Sequence, residues 1–342
     1  MPVSRLLREQ TIGETRWAAL DAQGAPVSLY LERASDEGRA VIGERLSARV
    51  RKLDGGLGGA FVDLGAKGEG FLRLKPDAKL TEGASVEVQV SAEARRGKLA
   101  RVRMAGAEAA QGGAAFWRAS LDGGAAAEVD DRAAGDVEVQ AAFDDALAAT
   151  VTLRGGGRMQ LERTEALIAA DIDTAGRTAR GSRAAGALAI NCEAAAELAR
   201  QIHLRGWGGL AVLDCIAPMD AAAGGKVRAA FLEAFRAISR RQVKALAPSA
   251  FGLMEISADW QTAPLSERMA GPEGAALEGL RRLEAAARGA RMARLQLALP
   301  EAAHAWLAAS GLDAEAKLAQ TYGARLVIRP GQTQSPEVTP AP

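Results

Sequence analysis

The stretch ALIAADIDTAGRTARG, residues 166–181, decides how the rest of the chain is read. It opens as an apolar strand and carries two carboxylates, Asp171 and Asp173. Alternate side chains of an extended segment share a face, so these acids point the same way, about 7 Å apart. Like charges that close need a cation or solvent beside them. Downstream, Leu188, Cys192, Ala195, Ala199 and Ile202 recur at helical spacing, and glycines at 206, 208 and 209 close that helix. The run GLAVLDCI (209–216) then reads as a buried strand with one charge, Asp214, near its C-terminal end. A second helix is predicted over 224–242, with Val227, Phe231, Phe235 and Ile238 as its apolar stripe. Open α/β sheets bind ligands at strand ends, where Asp171, Asp173 and Asp214 all fall. Three carboxylates converging there make the oxygen-rich, water-retaining setting that suits magnesium. The competing reading is that the acids merely end two strands. His203 and His304 stand alone at helical positions, which offers no acid–base pair.

Upstream, residues 41–105 carry 13 Lys or Arg against 8 Asp or Glu, a net of +5, whereas 106–150 carry 2 against 9, a net of −7. A basic module points to an anionic partner. Within it, ERLSARVRKL, GGAFVDLG, GEGFLRL, GASVEVQVSAE and GKLARVRM alternate between glycines, predicting five strands of a small OB-type barrel. Alternation turns Ala60, Val62, Leu64, Leu72 and Leu74 inward and Phe61, Phe71 and Arg73 outward. On the first strand it puts Arg45, Arg49 and Arg51 opposite Leu46, Ala48 and Val50. Exposed aromatics beside arginines form a stacking platform for unpaired bases, so single-stranded nucleic acid is the expected partner. The alternative is that both rings pack beneath a neighbouring domain.

The 342 residues, 48% hydrophobic and 25% charged, suffice for two or three domains. No apolar run approaches the roughly 18 residues of a membrane span, and no leader pattern is evident, so a cytoplasmic chain with no membrane partner is expected. Cys192 and Cys215 form neither a CxxC pair nor a disulfide framework and are expected to be buried thiols.

Three blocks, in order along the chain, carry a resemblance. TEALIAADIDTAGRTARG, NCEAAAELARQIHLRGWGGLAVLDCIAPM and FGLMEIS are similar to motifs of the ribonuclease E/G endoribonucleases. The resemblance spans roughly residues 158–257, and the N-terminal hairpin and basic module also look like the family's beginning. It implies an α/β, α+β multidomain chain: an OB-fold RNA-binding domain, a DNase I-like catalytic domain and a small C-terminal α/β domain. The expected division is 1–40, a hairpin remnant of an RNase H-like domain; 41–105, the OB fold; 106–135, a loose Ala/Gly-rich acidic connection; 136–270, the catalytic domain; 271–330, the small domain; and 331–342, a disordered tail.

The resemblance further implies that Asp171 and Asp214 are magnesium ligands, with Asp173 in the place of a supporting Asn. Phe61, Phe71 and Lys98 match positions that hold RNA, and the implied reaction leaves 5′-phosphate and 3′-hydroxyl ends on single-stranded RNA. Several features depart from the family. About 45 residues join barrel and catalytic block, too few for most of the RNase H-like region and a 5′-monophosphate sensor. The Cys-Pro-x-Cys zinc link is absent between Ser257 and Leu277, so no zinc-linked tetramer is expected, leaving a monomer or dimer. Ala250 and Ala258 stand where the family tends to have arginine. These departures also keep open a catalytically decayed, RNA-binding relative.

Overall fold

Glycine-bounded alternation in the first third of the chain and long amphipathic repeats in the remainder set out a mixed α/β molecule. The computed structural model describes residues 3–75, 79–106, 111–175, 177 and 182–341. Of the opening stretch, Gly176 and residues 178–181 lie outside the described residues.

The N-terminal meander β1 (Arg5–Thr11), β2 (Glu14–Leu20) and β3 (Pro26–Arg33) is followed by the barrel strands β4 (Arg45–Asp54), β5 (Gly59–Asp63), β6 (Glu69–Arg73), β7 (Ser85–Ala92) and β8 (Ala100–Met104). These five close in the order β4-β5-β6-β8-β7 around Ala48, Val50, Ala60, Val62, Leu72, Val88, Val90 and Val102.

The 106–135 segment is not a loose connection. It forms α1 (Gly113–Ser120) and β9 (Val129–Arg132), and β9 pairs in parallel with β1 to complete a four-stranded sheet, β3-β2-β1-β9. Trp117 anchors α1: its ring stacks on Tyr30 with centroids 5.7 Å apart and its Nε1 donates to Ser28 Oγ at 2.8 Å. The acidic excess is spent locally, because Asp131 meets Arg8 at 2.5 Å while Glu138 meets Arg5 at 2.7 Å. Composition showed the charge but not its partners a hundred residues upstream. The helix α2 (Val137–Leu147), expected to begin the catalytic domain, instead lays Val139, Ala142 and Phe143 on Leu7, Ala18 and Leu20 of this first sheet.

A six-stranded sheet follows: β10 (Thr150–Thr152), β11 (Arg158–Arg163), β12 (Ile168–Asp173), β13 (Gly209–Asp214), β14 (Val243–Ala245) and β15 (Leu253–Ala258), ordered β10-β11-β12-β13-β15-β14. Only β12 and β13 are parallel neighbours, joined through α3 (Arg183–Leu204). That helix and α4 (Ala221–Ile238) cover one face of the sheet, burying Ala195, Ala199, Ile202, Val227, Phe231 and Phe235 against Ala170, Ala211, Leu213 and Ile256. Each fully buried Phe of α4 contributes roughly 2–3 kcal/mol of apolar transfer. Leu188 and Cys192, also read as core, are only half-buried at its rim.

The chain closes with α5 (Leu265–Met269), α6 (Gly271–Gly289), β16 (Leu295–Pro300), α7 (Glu301–Ala309), α8 (Ala314–Tyr322), β17 (Leu326–Gly331) and β18 (Glu337–Pro340). The expected disordered tail is therefore corrected. β18 pairs antiparallel with β16, and Val338 packs on the C-terminal core. Proline, serine and threonine signal weak cohesion, but an open edge of β16 offers backbone partners that composition cannot reveal.

Buried ions brace the first sheet and join it to the C-terminal unit. Arg16 meets Glu9 at 2.5 Å, and Arg281 of α6 meets Glu14 at 2.7 Å. Glu93, just after β7, accepts from the backbone N–H groups of Ile42 (3.1 Å) and Ala263 (3.0 Å) and from the Tyr30 hydroxyl (3.4 Å), tying barrel, first sheet and the segment after β15 together. Burial pushes its carboxyl up to about 7, against the backbone N–H donors that favour the charged form. Among the described residues no helix is long and apolar enough to cross a membrane.

Candidate functional site

Register brings the acids together. Asp171 and Asp214 are direct partners across the parallel β12–β13 pair, one strand spacing of about 4.8 Å apart. Ile168, Ala170 and Ile172 point to the helix-covered core, as do Ala211 and Leu213, so both aspartates emerge on the uncovered face. Both are exposed, and among the described residues neither carboxylate has a hydrogen-bond or ion-pair partner.

Asp173 lies on the same face, but its carboxylate is already engaged. Oδ1 accepts from the Ala175 N–H at 2.9 Å and Oδ2 from Arg158 Nη2 at 3.0 Å. The turn N–H, with Arg158 beside it, holds this carboxyl below the usual range. The expectation of three converging carboxylates is thus corrected to a facing pair with an ion-paired neighbour. Among the described residues no group of three or more His, Cys, Asp or Glu side chains gathers as a metal cluster.

Asn191 is a positioning residue that periodicity did not single out. It is buried at the middle of α3, and its amide donates to Ile216 O and accepts from Ile216 N, each at 2.9 Å. This two-point clamp fixes the backbone two residues beyond Asp214. A buried amide in an otherwise apolar helix face was the available signal.

On the barrel, Phe61 and Phe71 are register partners on the outer surface, half-buried against each other edge-to-face at 5.4 Å. A Cβ on Gly59 would lie 2.4 Å from Phe71 Cζ, so the glycine makes room for that ring. Two cations that alternation missed flank the pair: Lys52 lies opposite Phe61 on β4, and Arg101 opposite Phe71 on β8. Lys52 reaches this face because β4 bulges at Arg51, shifting the alternation by one residue. Arg73 is exposed on the same face, two residues beyond Phe71.

The remaining expected cations are dispersed. Arg49 lies opposite Asp63, and Arg51 pairs with that carboxylate. Arg45 is seven positions before Lys52, about 23 Å along the strand, and donates to Gly106 O. Lys98 is exposed on a turn whose Arg95 lies 4.3 Å over the Trp260 ring. Trp260 sits against Gly208 and Gly209, at the end of β13 opposite Asp214.

Cys192 and Cys215 are free thiols; burial pushes Cys215 up to about 12, removing it as a nucleophile. His203 has both ring nitrogens buried without a partner among the described residues, and burial lowers it to about 3. The uncovered acidic pair is therefore the candidate chemical centre, and the aromatic pair lies on a separate exposed face of the barrel.

Comparison with known proteins adds the family. The ribonuclease E/G family profile matches residues 80–260, just over half of the chain. Ribonuclease E of Haemophilus influenzae is 36% identical over 120 residues, covering 35% of this chain and 13% of that protein. Escherichia coli ribonuclease E is also 36% identical over 120 residues, covering 35% of this chain and 11% of its own. The chloroplastic ribonuclease E/G-like protein of Arabidopsis thaliana is 35% identical over 124 residues, 35% of this chain and 12% of its own. The matched part of the chain spans only about an eighth of these relatives.

Proposed function

Because the chain belongs to the ribonuclease E/G family, we propose that it is a magnesium-dependent endoribonuclease acting on single-stranded RNA. The observation that carries this reading is the register pairing of Asp171 and Asp214 at the ends of parallel strands, exposed and without protein partners among the described residues. Two adjacent carboxylates with solvent around them suit a cation that takes one or two protein oxygens and keeps several waters. Magnesium, when bound, would polarise water and neutralise charge on the phosphodiester. The chain's own residues do the remainder: the aspartates hold the negative charge in place, Asn191 fixes the strand end beside them, and the Asp173–Arg158 pair braces the flanking turn. Hydrolysis joins water oxygen to phosphorus and breaks the bond to O3′, leaving a 5′-phosphate and a 3′-hydroxyl.

In this reading the five-stranded barrel is of the OB type and stacks bases on Phe61 and Phe71, between Lys52 and Arg101. The one-sided six-stranded sheet is the DNase I-like element. Two free thiols, one buried and one half-buried, fit a reducing cytoplasm.

The experiment is a cleavage assay on a labelled unstructured RNA across a magnesium titration. Asp171→Asn and Asp214→Asn should each reduce cleavage by a factor on the order of 10² or more while RNA binding through the barrel survives. A second reading, RNA binding without catalysis, is favoured by one observation: the third carboxylate is spent on Arg158. Purified wild-type protein that binds RNA and cuts none at any magnesium concentration would establish it.

A further inference from the structure

The C-terminal unit holds a cationic hollow unconnected with the acidic pair or the barrel. It is open, about 430 Å³ in volume, and lined by Ala287, Arg288, Arg291, Thr321, Tyr322 and Arg325, with no carboxylate among them. Its back is rigid. The Arg325 guanidinium donates to the carbonyls of Ala287 (2.7 Å), Ala290 (3.0 Å) and Ala293 (2.8 Å), and its Nε to Tyr322 O (3.1 Å). This one side chain answers the carbonyls at the C-terminal end of α6 and sets a fixed positive charge where the helix would otherwise present a negative pole.

The front has donors to spare. Arg288 Nε donates to the Tyr322 hydroxyl at 3.2 Å, and that hydroxyl donates onward to Glu284 Oε2 at 3.4 Å. Glu284, the nearest acid, sits behind the tyrosine, and its other oxygen accepts from the Ile12 N–H at 2.9 Å. Among the described residues neither the Nη groups of Arg288 nor any part of the exposed Arg291 guanidinium has a partner. Arg288 and Arg291 thus bring two guanidiniums with unengaged Nη donors, among the described residues, to one concavity, with the charge of Arg325 behind them. Forked N–H donors of this kind match the oxygens of a phosphate group in geometry and charge.

We infer that this hollow binds phosphate groups of an RNA strand, giving the protein a second anchoring site on its C-terminal unit. The inference rests on the RNA reading above and deepens it. A phosphate there is either internal to the strand or terminal, and the chemistry at Arg288 and Arg291 is the same for both.

The test uses the full chain carrying Asp171→Asn, so that binding is measured without cleavage, with and without Arg288→Ala and Arg291→Ala together. Both side chains are exposed, and circular dichroism checks the fold. Binding of one single-stranded RNA, 5′-phosphorylated or 5′-hydroxyl, is titrated across salt. The double variant should bind about threefold to tenfold more weakly, with a salt dependence shallower by roughly 0.7 for each phosphate that is no longer neutralised. Equal weakening on both RNAs assigns an internal phosphate, and weakening confined to the phosphorylated RNA assigns the 5′ end. Unchanged affinity and slope would overturn the inference while leaving the barrel reading intact. Affinity reduced only for vesicles containing phosphatidylserine would overturn it in favour of a lipid surface. Wild-type protein that binds neither RNA would end both readings.

Discussion

On the barrel, the side chains that matter are close in sequence: Phe61 and Phe71 face each other across neighbouring strands of one hairpin. On the six-stranded sheet, Asp171 and Asp214 stand 43 positions apart and meet only because α3 carries the chain back to a parallel neighbour in one register. The first site is assembled by local alternation and the second by topology. Local sites tolerate much: the bulge at Arg51 exchanges one cation for another, with Lys52 taking the place beside Phe61. A topological site has no such slack, and it is held by a buried clamp, Asn191, that the barrel does not need.

That contrast can be broken at its strongest point first. Phe61→Ala and Phe71→Ala should each weaken single-stranded RNA binding by ~1–3 kcal/mol, with circular dichroism unchanged, because both rings lie outside the barrel core. Unfolding in place of weakened binding would make the aromatic pair a structural element. Asn191→Ala should leave RNA affinity intact and lower cleavage by about tenfold to a hundredfold, with partial rescue by excess magnesium. Rescue is the informative readout, since a merely destabilising change would not respond to the metal.

The joint between the two regions titrates. Glu93 keeps its proton in the folded state up to about 7, whereas an unfolded glutamate loses it near 4.5. The native state therefore binds more protons in that window, and stability should fall as pH rises through it, by on the order of 3 kcal/mol in total. Glu93→Gln should flatten this slope in denaturant titrations between pH 5 and pH 8; an unaltered slope would place its origin elsewhere. The smallest effect belongs to Asp173→Asn. The amide oxygen can still accept from Ala175 N–H, and the ion pair with Arg158 that the change removes is solvent-exposed on both sides and contributes little. Cleavage should change by less than about threefold, and inactivity matching that of Asp171→Asn would make Asp173 a principal ligand.

The same division explains what was legible beforehand. Alternation correctly turned Asp171 and Asp173 to one face and sent Val62 and Leu72 inward, because period-two patterning is a property of neighbouring residues. It could not reveal that Arg158, fifteen positions away, neutralises one of the two acids. It missed Lys52 because the bulge at Arg51 leaves no mark in the residues that form it. The acidic segment was visible as charge but not as β9, since its partners Arg5 and Arg8 lie on β1. The final strand was hidden in the same way: a proline-rich run shows no strand pattern of its own until an edge such as β16 pairs with it.

The pairing of Asp171 with Asp214 also governs which insertions and deletions this chain can absorb. Length changes between α3 and β13, or in the turns around the barrel, alter connections without altering which side chains face which. A single residue added within β13 ahead of Asp214 reverses parity: the carboxylate would turn under Phe231 and Phe235, and Leu213 or Cys215 would surface in its place. Two residues added at the same point would restore the face but displace the acid along the strand by about 7 Å, beyond the reach of one cation shared with Asp171. The centre is thus protected less by the identity of its neighbours than by a count, and the six residues of β13 are where that count cannot drift.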